Sequence, residues 1–165
     1  KLRMFIVANR ARKAMNRMDD FHAALAAGDE DALDIRRLVS EAGLTIARST
    51  SSTAWKPGEV TFTSSIATAL RRHGDAVVSA ALTCMAEAYK EEPLMYGASI
   101  FGALVRIFAN PPEGFDSDEL VPTLRRHPMA EWGDMVRDQK GGDARAFALS
   151  KALNKELNRT DGLVL

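Results

Sequence analysis

Arg10, Arg12, Lys13 and Arg17 lie within eight residues, close enough for their side chains to meet successive phosphates along a strand or across a groove. They complete a seventeen-residue opening that holds six basic residues and no acid. Six acids and no Lys or Arg follow at once, through Asp34. The 165-residue chain balances 22 basic against 22 acidic residues, so its charge is sorted rather than in excess. A concentrated cationic segment attracts polyanions whatever the net charge. On charge alone two outcomes stand level: the segment reaches phosphates, or Asp19–Asp20 and Asp29–Asp31 neutralise it within its own fold.

Other reactive constellations are nearly absent. The chain holds no phosphate-binding loop ending in Gly-Lys-Ser/Thr, no Gly-x-Ser-x-Gly and no His-Glu-x-x-His. His22, His73 and His127 fall on separate elements without neighbouring ligands at metal-binding spacing, so no metal or other cofactor is expected. His73 and His127 each follow an Arg pair, Arg71-Arg72 and Arg125-Arg126, at an expected helix end, where the dipole favours cations. Cys84 sits on the most apolar helix and reads as a buried, inert thiol. Glu87, Glu91 and Glu92 read as the solvated end of that helix, and Lys151, Lys155 and Arg159 as the solvated face of the last one. An enzyme is therefore the least favoured of the functional readings.

The elements that would position these groups are mostly helical. Leu2 to Val7 is strand-like and precedes the basic stretch. Asp19 or Asp20 is expected to cap a short helix carrying Phe21 and Leu25, and Asp29 the next, with Leu33, Ile35, Leu38, Val39 and Ala42 inward. Leu44–Arg48 and Glu59–Phe62 alternate with period two and predict a small β-ribbon, its apolar side formed by Leu44, Ile46, Val60 and Phe62. Trp55, in the loop between them, is expected to fold back.

Ser64–His73 and a helix running to Tyr89, which Asp75 is expected to cap, follow as a helical pair. Val78, Leu82, Met85 and Tyr89 recur at helical spacing on the second, which should be central. That helix offers Val, Ala, Leu, Thr and Cys where a recognition helix needs Arg, Lys, Asn or Gln, so the pair reads as an αα-hairpin core. Ala98–Phe108, a capping box at Asp116 and Glu119, Met129–Arg137 with Trp132, and a last helix opened by Asp143 after the Gly141-Gly142 hinge complete the series. On that last helix Leu149, Leu153 and Leu157 should face inward. Gly97 and Gly102, within apolar helical sequence, are expected to serve close packing.

The length suits one domain with a real core. No apolar run is long enough for a membrane span, and a single cysteine fits a reducing cytoplasm. The start at Lys1, without an initiator methionine, reads as a fragment or processed product with a partner domain upstream.

The run Phe5-Ile6-Val7-x-Asn9-x-x-Arg12-Lys13, continued by Asp20-Phe21-x-Ala23 and Ala27-Gly28-Asp29-x-x-Ala32-Leu33-x-Ile35, resembles phage- and plasmid-borne ParB-like proteins. In these an N-terminal ParB/sulfiredoxin-like domain precedes a helical C-terminal region. The stretch Gly102 to Phe108 is similar to that group's glycine-led core helix. The resemblance covers about the first half of the chain and rests on packing and turn residues. It implies a DNA-associated parent, with residues 1–17 the end of the ParB-like domain and 18–165 the helical partner. Residues 1–17, the implied end of the ParB-like domain, hold no Gly-x-x-Arg motif, so no nucleotide or nuclease site carries over. The expected fold is mainly α, a compact multi-helix domain with a two-stranded ribbon and an N-terminal strand or arm. The expected function is non-enzymatic contact with the DNA backbone through Arg10, Arg12, Lys13 and Arg17. The alternative is an interaction or oligomerisation module whose arm joins a neighbouring domain.

Overall fold

A computed structural model describes residues 17–48 and 56–164, with side chains as far as Asn158. The expected strand at Leu2–Val7, the cations Arg10, Arg12 and Lys13, and Trp55 lie outside the described residues. Among those described, the fold is mainly helical with one two-stranded sheet, as the periodicity predicts. Helix α1 spans Arg17–Ala26, α2 Glu30–Glu41, α3 Thr63–His73, α4 Asp75–Ala88 and α5 Gly97–Ala109. After a 3₁₀ turn at Ser117–Glu119 come α6 Leu120–Leu124, α7 Met129–Met135 and α8 Gly142–Val164. Strands β1 (Thr45–Ile46) and β2 (Glu59–Val60) lie between α2 and α3.

Helix α4 is the spine. It packs against α2, α3, α5 and α6, and Val78, Ala81, Leu82 and Met85 are wholly removed from solvent. Burying Val78, Leu82 and Met85 is worth roughly 1.5–3 kcal/mol each against leaving them exposed. Cys84 and Tyr89 belong to the same buried surface. Burial pushes the Cys84 thiol up to about 12, with the charge of Glu87 adding to it, and raises the Tyr89 hydroxyl in the same direction.

Local signals place most boundaries. The Asp29 carboxylate accepts from the Ala32 amide at 2.9 Å and caps α2. Gly74 adopts φ +84° between α3 and α4, a left-handed conformation that a side chain would strain. Three expectations are corrected. Asp19 and Asp20 sit within the first turn of α1 rather than at its cap, because the helix is already formed at Arg17. Asp75 is the first residue of α4, with Gly74 before it as the cap. Leu33 is exposed at 36% and Ala32 takes the inward position. The stripe of α2 is thus set by Ala32, Ile35, Leu38 and Val39.

The ribbon forms, but its strands are two residues long and parallel, Thr45 opposite Glu59 and Ile46 opposite Val60. The Thr45 amide donates to the Gly58 carbonyl and the Ala47 amide to that of Val60, both at 2.9 Å. Leu44, Val60 and Phe62 are buried and Ile46 is partly so. The Asp116 carboxylate caps the 3₁₀ turn by accepting from the Asp118 amide at 3.0 Å, and α6 follows only after that turn.

The glycines on α5 serve close approach. A Cβ at Gly97 would collide with the Phe62 ring, and one at Gly102 would lie 2.7 Å from the Ala146 Cβ of α8. Ala146 has no flexible end to move aside, so a side chain at 102 must push α5 and α8 apart. Trp132 is buried, its indole N–H donating to the Leu124 carbonyl at 3.0 Å. Leu149, Leu153 and Leu157 face inward from α8.

Stability measurements can check this packing at two places. Gly102→Ala gains about 1 kcal/mol of helix propensity but incurs about 1–3 kcal/mol of overpacking. Its urea midpoint should fall, with a net loss on the order of 1 kcal/mol, while Gly142→Ala, which meets open space, leaves the midpoint unchanged or higher. A Gly102→Ala protein as stable as the parent would show that α5 and α8 are not tightly packed. The Cys84 thiol should resist disulfide reagents at pH 8 in the native protein and react once it unfolds. Its folded-state value lies above the ordinary 9.0, so the native state holds a proton that the unfolded chain releases. Stability should therefore fall as pH rises from about 9 toward 12, by at most ~1.4 kcal/mol per pH unit for this group. Cys84→Ala should flatten that decline, and an unaltered slope would count against the burial.

Candidate nucleic-acid interface

Of the four residues expected to meet phosphates, only Arg17 lies among those described. It opens α1, is exposed, and has no ion pair or hydrogen bond with another described side chain. The acids downstream are partly committed elsewhere. Asp29 caps α2, and Asp34 lies 3.7 Å from Arg37, which also contacts Glu41 and Asp75.

The two Arg-Arg-His tracts, alike in sequence, have opposite environments. At the end of α6, Arg125 donates to the Glu87 carbonyl at 2.7 Å and Arg126 pairs with Glu156 of α8 at 3.1 Å. His127 bonds Glu131 at 2.9 Å and meets the Trp132 ring edge-on. That tract ties α4, α6, α7 and α8 together. At the end of α3, Arg71 reaches the Thr68 hydroxyl at 3.5 Å and no carboxylate among the described residues. Arg72 and His73 are exposed and have no carboxylate partner among the described residues.

Arg72 and His73 line an open crevice of about 340 Å³ between α3, α5 and α8. Its floor is built of small and apolar groups, including Ala69, Phe101, Gly102 and Ala146. Arg106 lines it from α5, likewise without a carboxylate partner among the described residues. Beside Arg106, Phe147 is 49% exposed. The Arg106 guanidinium lies 5.6 Å from that ring's centre and the Lys151 ammonium 4.5 Å from it. Lys151 therefore belongs to a cluster spanning two helices rather than to a featureless solvated face. Lys155 is exposed as expected, and the Arg159 side chain lies outside the described ones.

Sequence reading missed these groupings because Arg72 and Arg106, and Arg106 and Lys151, come from separate helices. The usable signal was Phe147, an aromatic out of phase with Leu149, Leu153 and Leu157 and four residues before a lysine.

The remaining candidates are structural. Cys84 is buried. His22 bonds the Ala47 carbonyl at 2.9 Å and ties α1 to the ribbon. Glu92 accepts from the Met129 amide at 2.8 Å and starts α7, whereas Glu87 and Glu91 are exposed. No group of three His, Cys, Asp or Glu among the described residues could hold a metal ion, and no described helix is long and apolar enough to cross a membrane. Comparison with known proteins finds no matching family model, curated protein or solved structure.

Proposed function

We propose that the chain is a non-enzymatic, DNA-associated helical domain of a ParB-like protein that contacts the phosphate backbone through Arg10, Arg12, Lys13 and Arg17. The observation that carries this reading is the run of seventeen positions with six cations and no acid. The resemblance of the Phe5–Ile35 stretch to ParB-like proteins supports it, as does the exposure of Arg17 without a described partner. A cytoplasmic location belongs to the same reading, since one buried thiol needs no oxidising compartment.

A second reading, an interaction or oligomerisation module, draws on three exposed apolar side chains. Met95 and Tyr96 follow α4 and Met135 ends α7, all between 41% and 48% exposed. The Tyr96 ring packs over Gly133 of α7, so its segment and α7 share one surface.

Fluorescence anisotropy with labelled duplexes of unrelated sequence separates the two. DNA association predicts similar affinity for all duplexes, falling steeply between low and moderate salt. Replacing Arg10, Arg12, Lys13 and Arg17 with Ala should abolish that affinity at moderate salt and flatten the salt slope by roughly 3 to 4 units, about 0.9 for each phosphate no longer neutralised. Binding that survives the four replacements would remove the arm from the interface. A light-scattering mass above that of the monomer, with no DNA retained, would favour the second reading.

A further inference from the structure

We propose that the crevice between α3, α5 and α8 is a second phosphodiester site, shaped for single-stranded nucleic acid. The inference rests on reading the chain as a nucleic-acid partner, but on none of residues 1–17.

Charge is the first argument. Arg72 and Arg106 enter the crevice from different helices, and His73 stands beside Arg72. Asp143, at the start of α8, is the one acid in the lining. Neither guanidinium has a carboxylate partner among the described residues, in contrast to Arg126, which pairs with Glu156. Cations without an internal partner are available to an external anion.

The surroundings of Phe147 sharpen this. Arg106 and Lys151 both converge on one half-exposed ring. The ring's quadrupole attracts each cation. Such interactions use the ring's electron density and leave N–H donors free, so the pair is held in place with hydrogen bonds still to make. A phosphate at the Arg106 guanidinium would accept from it without displacing that contact.

The floor selects the form of polyanion. Ala69, Phe101, Gly102 and Ala146 give it an apolar surface, and Ser64, Ser65 and Thr68 set hydroxyl-bearing residues along one wall. A single strand can turn sugar and base faces toward an apolar floor while its phosphates follow the cationic rim. A duplex is convex, carries its phosphates outside and keeps its base faces stacked, so it has nothing to insert. It would be left to the arm. An acidic polypeptide could satisfy the rim but not use the floor.

The test measures binding of a labelled short oligothymidylate to the full chain, alongside a duplex of unrelated sequence. Arg72→Gln with Arg106→Gln should weaken oligothymidylate binding roughly tenfold or more and flatten its salt slope by ~1.4, about 0.7 for each single-strand phosphate no longer neutralised. Duplex affinity should stay at the parent value. Arg72→Lys with Arg106→Lys should recover most of the single-strand affinity, and all variants should unfold at the parent's urea midpoint because both side chains are exposed. Undiminished oligothymidylate binding by the double Gln variant would overturn the site. So would displacement of the oligonucleotide by polyglutamate at equal charge concentration. A parent chain that binds duplex but not oligothymidylate would also overturn it and leave the arm reading standing. Binding of neither nucleic acid would overturn both, whereas oligothymidylate binding alone, abolished in the double Gln variant, would support the crevice and remove the arm.

Discussion

Removal of one face of α4 from water is the constraint on which the rest of the structure depends. Val78, Ala81, Leu82 and Met85 are fully buried because α2, α3, α5 and α6 close around that helix. Each surrounding helix must turn an apolar stripe toward α4 and therefore carry its polar groups on the opposite side. A helix so enclosed has little surface left for ligands. Cys84, the most reactive residue type on α4, is covered for the same reason, and desolvation of its thiolate keeps it protonated. Chemistry is consequently displaced to the outer faces of α3, α5 and α8.

There the spacing of backbones decides what the surface can hold. Gly102 and Ala146 let α5 and α8 approach more closely than any larger pair would allow. That close approach forms part of the floor of a crevice whose remaining wall is α3. The small residues thus determine more than packing density. They set how deep the floor lies beneath Arg72 and Arg106, and hence how much of a ligand can enter below the cationic rim.

Much of the architecture was legible in the sequence, for identifiable reasons. Period-3.6 stripes with Gly or Asp at their ends marked α2 to α5, and the density of apolar residues on α4 identified it as central. Gly97 and Gly102 were recognisable as packing glycines because they interrupt an otherwise bulky apolar run. Strand direction in the ribbon was not legible, since period-two alternation is the same for parallel and antiparallel pairs. Leu33 misled because hydrophobicity at a stripe's edge says little about which of two neighbouring residues faces inward. The candidate surface was only half legible. Arg10, Arg12, Lys13 and Arg17 lie close in sequence and announce themselves, whereas Arg72 and Arg106 share a crevice, and Arg106 and Lys151 a ring, only after their helices have packed. The Arg-Arg-His tracts make the same point from the other side. Identical triplets became an internal brace at residues 125–127 and an open cationic edge at 71–73, and the difference lies in whether Glu156 is across the interface.

The sorting of charge in the first 34 residues has a structural component that bears on its meaning. Acids are favoured in the first turns of helices by the backbone dipole, and Asp19, Asp20, Glu30 and Asp31 all occupy such positions. Asp29 is held by its cap, and Asp34 joins Glu41 and Asp75 around Arg37. Exposed pairs of that kind are screened by solvent and contribute little, so they do not explain why acids cluster there, but the helix starts do. The acidic half of the pattern therefore has a reason within the fold. Arg17, the one described cation of the basic half, stands in the first turn of α1, where the dipole does not favour it.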